Sequence, residues 1–267
     1  MCTVTVIPLA VEGDKRPGGR GAFRLVTNRD ESRRRAPALP PQHVRLAGGI
    51  EAVWPVDPTG GGTWIAGSTR GLVLAATNIN PRPAVAGNGR AGRSSRGLLI
   101  PDLIDAARAP EAIARLHTMD LSVFPPFRLI AVDGVAIVAA VWADEVLRIA
   151  ERALGPVCYV SSGLGDDVVA DRLPLFDAML TDQGPTPAMQ DAFHRHRWPD
   201  RPEASVLMSR AEARTVSTTI VEVREAAVGA MVLMDYRDDA GVYRVRAPQG
   251  TRAGTVADPC AVAGPAR

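Results

Sequence analysis

Turn signals that force neighbouring strands into hairpins constrain this chain more than any other feature of its sequence. Asp133-Gly134 separates two apolar runs, residues 127–132 and 135–142, and Asp-Gly at that spacing is a tight-hairpin signature. Residues 63–68 and 71–77 repeat the arrangement around Thr69-Arg70. Residues 3–6, Thr-Val-Thr-Val, alternate polar and apolar as a half-buried strand does, and residues 22–27 return after a glycine-rich turn at 13–21. Residues 146–150 and 157–160 are expected to extend the sheet of 127–142, and 215–223, 229–234 and 242–245 to close the chain as strands. Helical patterns cover 94–107, 109–117, 165–180 and 187–193, while 28–41, polar and ending in prolines, reads as an irregular excursion. Hairpins outnumber the strand–helix–strand crossovers that a parallel sheet needs. The expected class is α+β, with two antiparallel sheets packed on each other and flanked by helices.

The chain has 267 residues and no interior stretch that reads as a long linker, so residues 1–250 are expected to form one domain and 251–267 a disordered tail. Its net charge of +2 argues against a dedicated nucleic-acid binder. No apolar run approaches the ~20 residues of a membrane helix, so it is not expected to be an integral membrane protein. Cys2, Cys158 and Cys260 are an odd set at wide spacing, which fits a reducing compartment. With no secretory leader at its start, the expected location is cytoplasmic. Cys158, inside an apolar pattern, reads as a core residue. His194-Arg195-His196 lacks a partner at zinc-like spacing and reads as a surface helix end, so no metal site is expected. Arg33-Arg34-Arg35 reads as a solvated loop. Residues 87–94 match a phosphate-binding loop except that Arg93 replaces the lysine, but no strand leads directly into them.

Cys2 is the first candidate for chemistry. A small residue at position 2 permits loss of Met1, which leaves an α-amine with a pKa of about 7.7–8.0 on the same residue as the thiol. Base and nucleophile then sit together. Asn28-Arg29-Asp30-Glu31 closes the second strand, beside the start of the first if the two pair. An arginine there depresses a thiol pKa, and an aspartate orients the arginine or holds an ammonium. Adjacent strand residues point to opposite faces, so Asp30 shares its face with Asn28 and only one of Arg29 and Asp30 faces the thiol. Gly61-Gly62-Thr63-Trp64 and Thr77-Asn78 follow; Thr63 and Trp64 suit a pocket wall, and Asn78 suits an oxyanion donor. Arg90, Arg93 and Arg96 suit a carboxylate or phosphate. The 28–31 segment and Asn78 are expected to act on Cys2 chemistry and not chiefly on stability.

Taken in order, Met1-Cys2-Thr3, Asn28-Arg29-Asp30-Glu31, Gly61-Gly62-Thr63-Trp64, Thr77-Asn78 and Ser95-Arg96-Gly97-Leu98 resemble the NRDE family, also called the transport and Golgi organisation 2 family. That family in turn is similar to the N-terminal-nucleophile cysteine hydrolases. The resemblance implies a four-layer α-β-β-α sandwich, catalytic Cys2, Arg29, Asp30 and Asn78, and substrate contacts from Asn28, Thr63, Trp64, Thr77 and Arg96. It implies hydrolysis of an amide-type C–N bond or a related acyl group in a small molecule, with no cofactor required. Its alternative is a non-catalytic haem or acyl-CoA binding and trafficking protein, with Cys2 as a haem ligand. Ser161-Ser162 departs from the Ser-Asn common in the family.

Overall fold

The computed structural model describes residues 2–10, 21–80, 94–181, 184–226 and 229–247. The phosphate-loop-like stretch up to Arg93, most of the first turn, Cys260 and the expected tail lie outside them. Among the described residues the strands form two antiparallel sheets. The first has the order β10-β1-β2-β11-β12-β13, from β1 (Cys2–Pro8), β2 (Phe23–Ser32), β10 (Val157–Ser161), β11 (Ala213–Glu225), β12 (Ala230–Asp238) and β13 (Gly241–Arg246). The second runs in chain order through β3 (Leu39–Arg45), β4 (Glu51–Val56), β5 (Ile65–Ser68), β6 (Val73–Asn78), β7 (Phe127–Val132), β8 (Ala136–Ala143) and β9 (Val146–Ala153).

Strand alternation sorts the apolar residues into three layers. Val4, Val6, Leu25 and Val221 of the first sheet meet Ile65, Val73 and Ile130 of the second between the sheets. Leu74, Leu129 and Ala131 face outward under helices α1 (Leu99–Leu103) and α2 (Ala109–Ala114). Ile7 packs with Phe176 and Phe193 of α3 (Arg172–Phe176) and α4 (Pro187–His194) on the other outer face. The result is the expected α-β-β-α order.

Several local expectations change. Strand β2 continues through Asn28-Arg29-Asp30-Glu31 instead of ending before it, and β3 follows where an excursion was expected. Pro40 and Pro41 are tolerated because β3 is a sheet edge with a register shift. Strand β10 does not extend the sheet of β7–β9; after Gly155-Pro156 the chain crosses over and β10 pairs with β1. The first and third helical stretches are broken, with 3-10 turns before α1 and α3 and a π turn after α3; Pro101 and Pro174 remove helix donors there.

The polar side of β1 is not half-exposed. Thr3 and Thr5 are fully buried because α3 and α4 bring a polar layer against them. Gln190 Nε2 donates to Thr5 Oγ1 at 2.8 Å, and the same hydroxyl is hydrogen-bonded to His194 Nε2 at 2.7 Å. His194 is therefore a buried wedge, 3% exposed, and not the surface helix end its neighbours suggest; Arg195 beside it is exposed. Burial, with Arg24 and Arg172 nearby, pushes His194 down to about 3.

This sets a pH dependence. Between the ordinary 6.5 and about 3 the unfolded chain takes up a proton at His194 and the folded chain does not, so stability falls with pH through that window. The expected loss is on the order of 3–5 kcal/mol. Asp30, which burial pushes up, opposes it over the carboxylate range. Urea unfolding of wild type and His194→Gln at several pH values should show a steeper acid slope in the wild type than in the variant.

Candidate active site

Cys2 is the first residue of β1 and sits opposite Arg29 on β2 and Ser161 on β10. Directly opposed residues share a face, and Cys2 belongs with Val4 and Val6 to the layer between the sheets. There it meets a cavity of about 270 Å³ whose walls include Arg29, Asp30, Glu31, Arg35, Asp57, Thr63, Trp64, Asn78 and Arg96. Seven of the nine residues singled out in the sequence therefore converge. The sequence supplied no sign of Asp57, and Arg35 was placed in a solvated loop; Arg35 stands four residues after Glu31, the one local hint of its pairing.

The wall opposite Cys2 is made by a close backbone crossing. A Cβ on Gly62 would lie 2.3 Å from the carbonyl of Gly97, and Thr63 N donates to Gly97 O at 3.0 Å. The glycine before Thr63-Trp64 is thus required by contact with the segment that carries Arg96. Thr63 Oγ1 donates to Ile65 O at 2.9 Å, so its hydroxyl shapes the turn.

Arg29 is 5% exposed and lies over the Trp64 ring, its guanidinium carbon 4.5 Å from the centroid. It pairs with Asp57 at 3.3 Å and Glu31 at 3.5 Å, and Arg35 pairs with the same two carboxylates at 2.6 and 3.5 Å. Burial alone would raise Asp57, but Arg35 and Arg29 hold it below the usual carboxylate range. Asn78 is half-buried, and among the described residues its side-chain amide has no hydrogen-bond partner.

Two of the nine residues lie elsewhere. Asn28 is turned to the helix side, donating to His194 O and Val206 O at 2.9 Å each and accepting from Thr218 Oγ1 at 2.9 Å. Both its amide N–H groups and its carbonyl are engaged in tying β2 to the helix layer and β11. Thr77 is buried and does not line the cavity. Asp30 borders the cavity, but its carboxylate accepts from Thr215 Oγ1 at 2.6 Å and sits 3.7 Å from Arg172 Nη1, both partners of the ion pair being 1% exposed. Arg172 also donates to Thr3 Oγ1 at 2.6 Å. Asn28 and Asp30 both carry structural hydrogen bonds; Asn28 is turned from the cavity, against the expected substrate contact, while Asp30 borders it.

The Cys2 thiol is pushed up by burial, helped by the charge of Asp30, which together outweigh the lowering by the positive amino terminus, by Arg29 and by the backbone N–H of Asp30. This reverses the expected direction and leaves the thiol protonated at neutral pH. Cys158 packs under α3 and α4, and burial pushes it up as well. A second cavity of about 260 Å³ shares the Arg29, Glu31 and Arg35 wall and is lined beyond it by Ala36, Pro37, Val216 and Tyr236 together with Arg33, Arg214, Asp238 and Asp239. No group of described residues has the make-up of a metal site, and among them no helix is long and apolar enough to cross a membrane.

The family model described as Transport and Golgi organisation 2 matches residues 5–163. No curated protein sequence matches the chain. Among solved structures, the Caenorhabditis elegans ortholog of N-acylethanolamine-hydrolyzing acid amidase aligns with a TM-score of 0.53 at 11% identity, covering 82% of this chain and 92% of that one. Penicillin V acylase from Agrobacterium tumefaciens aligns with a TM-score of 0.44 at 12% identity, covering 90% and 86%. A mutant of conjugated bile acid hydrolase from Clostridium perfringens gives 0.44 at 10% identity, covering 95% and 100%. The first of these shows a shared fold.

Proposed function

Starting from the fact that this chain belongs to the Transport and Golgi organisation 2 family, we propose that it is a cysteine amidohydrolase whose nucleophile is Cys2, freed by removal of Met1. The observation that carries the reading is the convergence of Cys2, Arg29 and the unengaged amide of Asn78 on one cavity at the start of β1. The thiol, held protonated by burial, needs a base. The carboxylates on the wall, Glu31 and Asp57, are committed to Arg29 and Arg35. The α-amine that removal of Met1 creates stands on the nucleophile's own residue.

In this mechanism the amine takes the thiol proton and the sulfur attacks the amide carbonyl. Asn78 Nδ2 donates to the oxyanion. The leaving nitrogen takes the proton from the ammonium as the C–N bond breaks, leaving a thioester on Cys2. Water, deprotonated by the same amine, then releases the acid. Arg29, fixed on Trp64, offsets negative charge on sulfur. The second cavity, with Pro37, Val216 and Tyr236, suits the apolar part of an acyl group.

Haem suits the Cys2 cavity less well. An axial thiolate wants an apolar pocket, and here the thiol is buried beneath arginines and carboxylates in about 270 Å³. Asn78→Ala should lower turnover of a cleaved N-acyl amide by roughly 10²–10³ with an unchanged melting temperature. Steady-state kinetics on a panel of N-acyl amides, with Cys2→Ala as the blank, checks this; equal rates in wild type and Asn78→Ala would remove Asn78 from the mechanism.

A further inference from the structure

We propose that the Cys2 cavity contains a carboxylate site at Arg96, so that the substrate carries one negative charge close to the bond that is cleaved. This rests on the amidohydrolase reading for the word substrate, but the site itself is argued from charge and geometry.

Three guanidiniums, Arg29, Arg35 and Arg96, line the cavity with two outward-facing carboxylates, Glu31 and Asp57. Arg29 and Arg35 each reach both carboxylates. The remaining carboxylate, Asp30, is turned away to Arg172 and Thr215. Among the described residues Arg96 has no carboxylate within ion-pair distance, and the segment at 81–93 that precedes it contains no Asp or Glu. Among the described residues the cavity therefore holds one positive charge in excess, and it resides on Arg96.

The side chain is placed to use it. Arg96 Nη1 donates to Pro126 O at 2.9 Å, which fixes the guanidinium on the wall. Its Nε and Nη2 have no partner among the described residues. That edge is the two-donor fork that matches a carboxylate side-on. Arg96 is half-buried, so a charge partner there is less screened than one on the open surface. A single excess charge matches a carboxylate monoanion better than a phosphate dianion. A carboxylate held by Arg96 lies in the same cavity as Cys2, on the reacting part of the substrate, while the apolar part extends past the Arg29–Glu31 wall.

The site can be tested without knowing the substrate, by comparing iodoacetate with iodoacetamide as alkylating agents of Cys2. The two react with the same thiolate, so their rate ratio cancels any change in thiol pKa and reads only the preference for an anion. Measurement near pH 9 neutralises the α-amine. Relative to free cysteine, wild-type Cys2 should favour iodoacetate by at least about tenfold. Arg96→Gln should return the ratio to that of free cysteine, and Arg96→Lys should keep part of the preference. Acetate, but not acetamide, should slow alkylation of the wild type. A wild-type ratio equal to that of free cysteine, or a preference that survives in Arg96→Gln, overturns the proposal. If the preference is found and lost as expected while no N-acyl amide is turned over, the anion site stands and the hydrolase reading fails.

Discussion

Protein made with Met1 retained, or with an N-terminal extension, should lose turnover by about 10²–10⁴ while melting at the same temperature as the processed chain. The size follows from how little else in the cavity can act as a base. Cys2 is 5% exposed and its thiol is pushed up by burial, so the thiolate is scarce at neutral pH. His194, in the layer behind β1, is buried on the opposite face and neutral. Glu31 and Asp57 are spent on arginines. Blocking the α-amine removes the proton acceptor without disturbing the sheet that carries Cys2. Kinetics on processed and extended protein, paired with thermal melts, checks this; full activity in the extended form would place the base elsewhere.

The second large effect is on stability. Arg172 is 1% exposed and donates to Thr3 Oγ1, Ala204 O and Ser205 O at 2.6–2.9 Å, beside Asp30. Arg172→Met should destabilise the fold by about 3–5 kcal/mol, because it strands a buried carboxylate and two carbonyls. Much of this should be recovered in the double variant Asp30→Asn/Arg172→Met, in which the unpaired charge is gone. Urea unfolding at neutral pH measures both. A single variant as stable as wild type would mean that the pair contributes nothing to holding β1 against α3.

The parts of this architecture legible in the sequence were those encoded locally. Asp133 shows why: its carboxylate accepts from Val135 N and Ala136 N at 3.0 Å, and Gly134 adopts φ of 81°, so two adjacent residues build the β7–β8 turn themselves. The position of Arg29 opposite Cys2 was legible because two strands joined by a turn must bring the end of one to the start of the other. What could not be read depends on partners far along the chain. Arg172 meets Thr3 across 169 positions, and no pattern around it distinguishes it from a surface arginine. The same holds for His194, whose exposed neighbour Arg195 and charged surroundings conceal a side chain that closes on Thr5. The alternation in Thr3-Val4-Thr5-Val6 gave the two faces correctly but not what covers the polar one. Asn28 was misassigned to the substrate for this reason: the face it occupies is filled by α4.

The intact mass of untagged protein after limiting iodoacetamide near neutral pH tests most directly whether Cys2 is a free N-terminal nucleophile. The expected result is a chain without Met1 in which Cys2 is labelled and Cys158 is not, with labelling of Cys260 in the tail mapped separately. A chain that retains Met1 in most molecules, or one in which Cys158 is labelled as fast as Cys2, would contradict it.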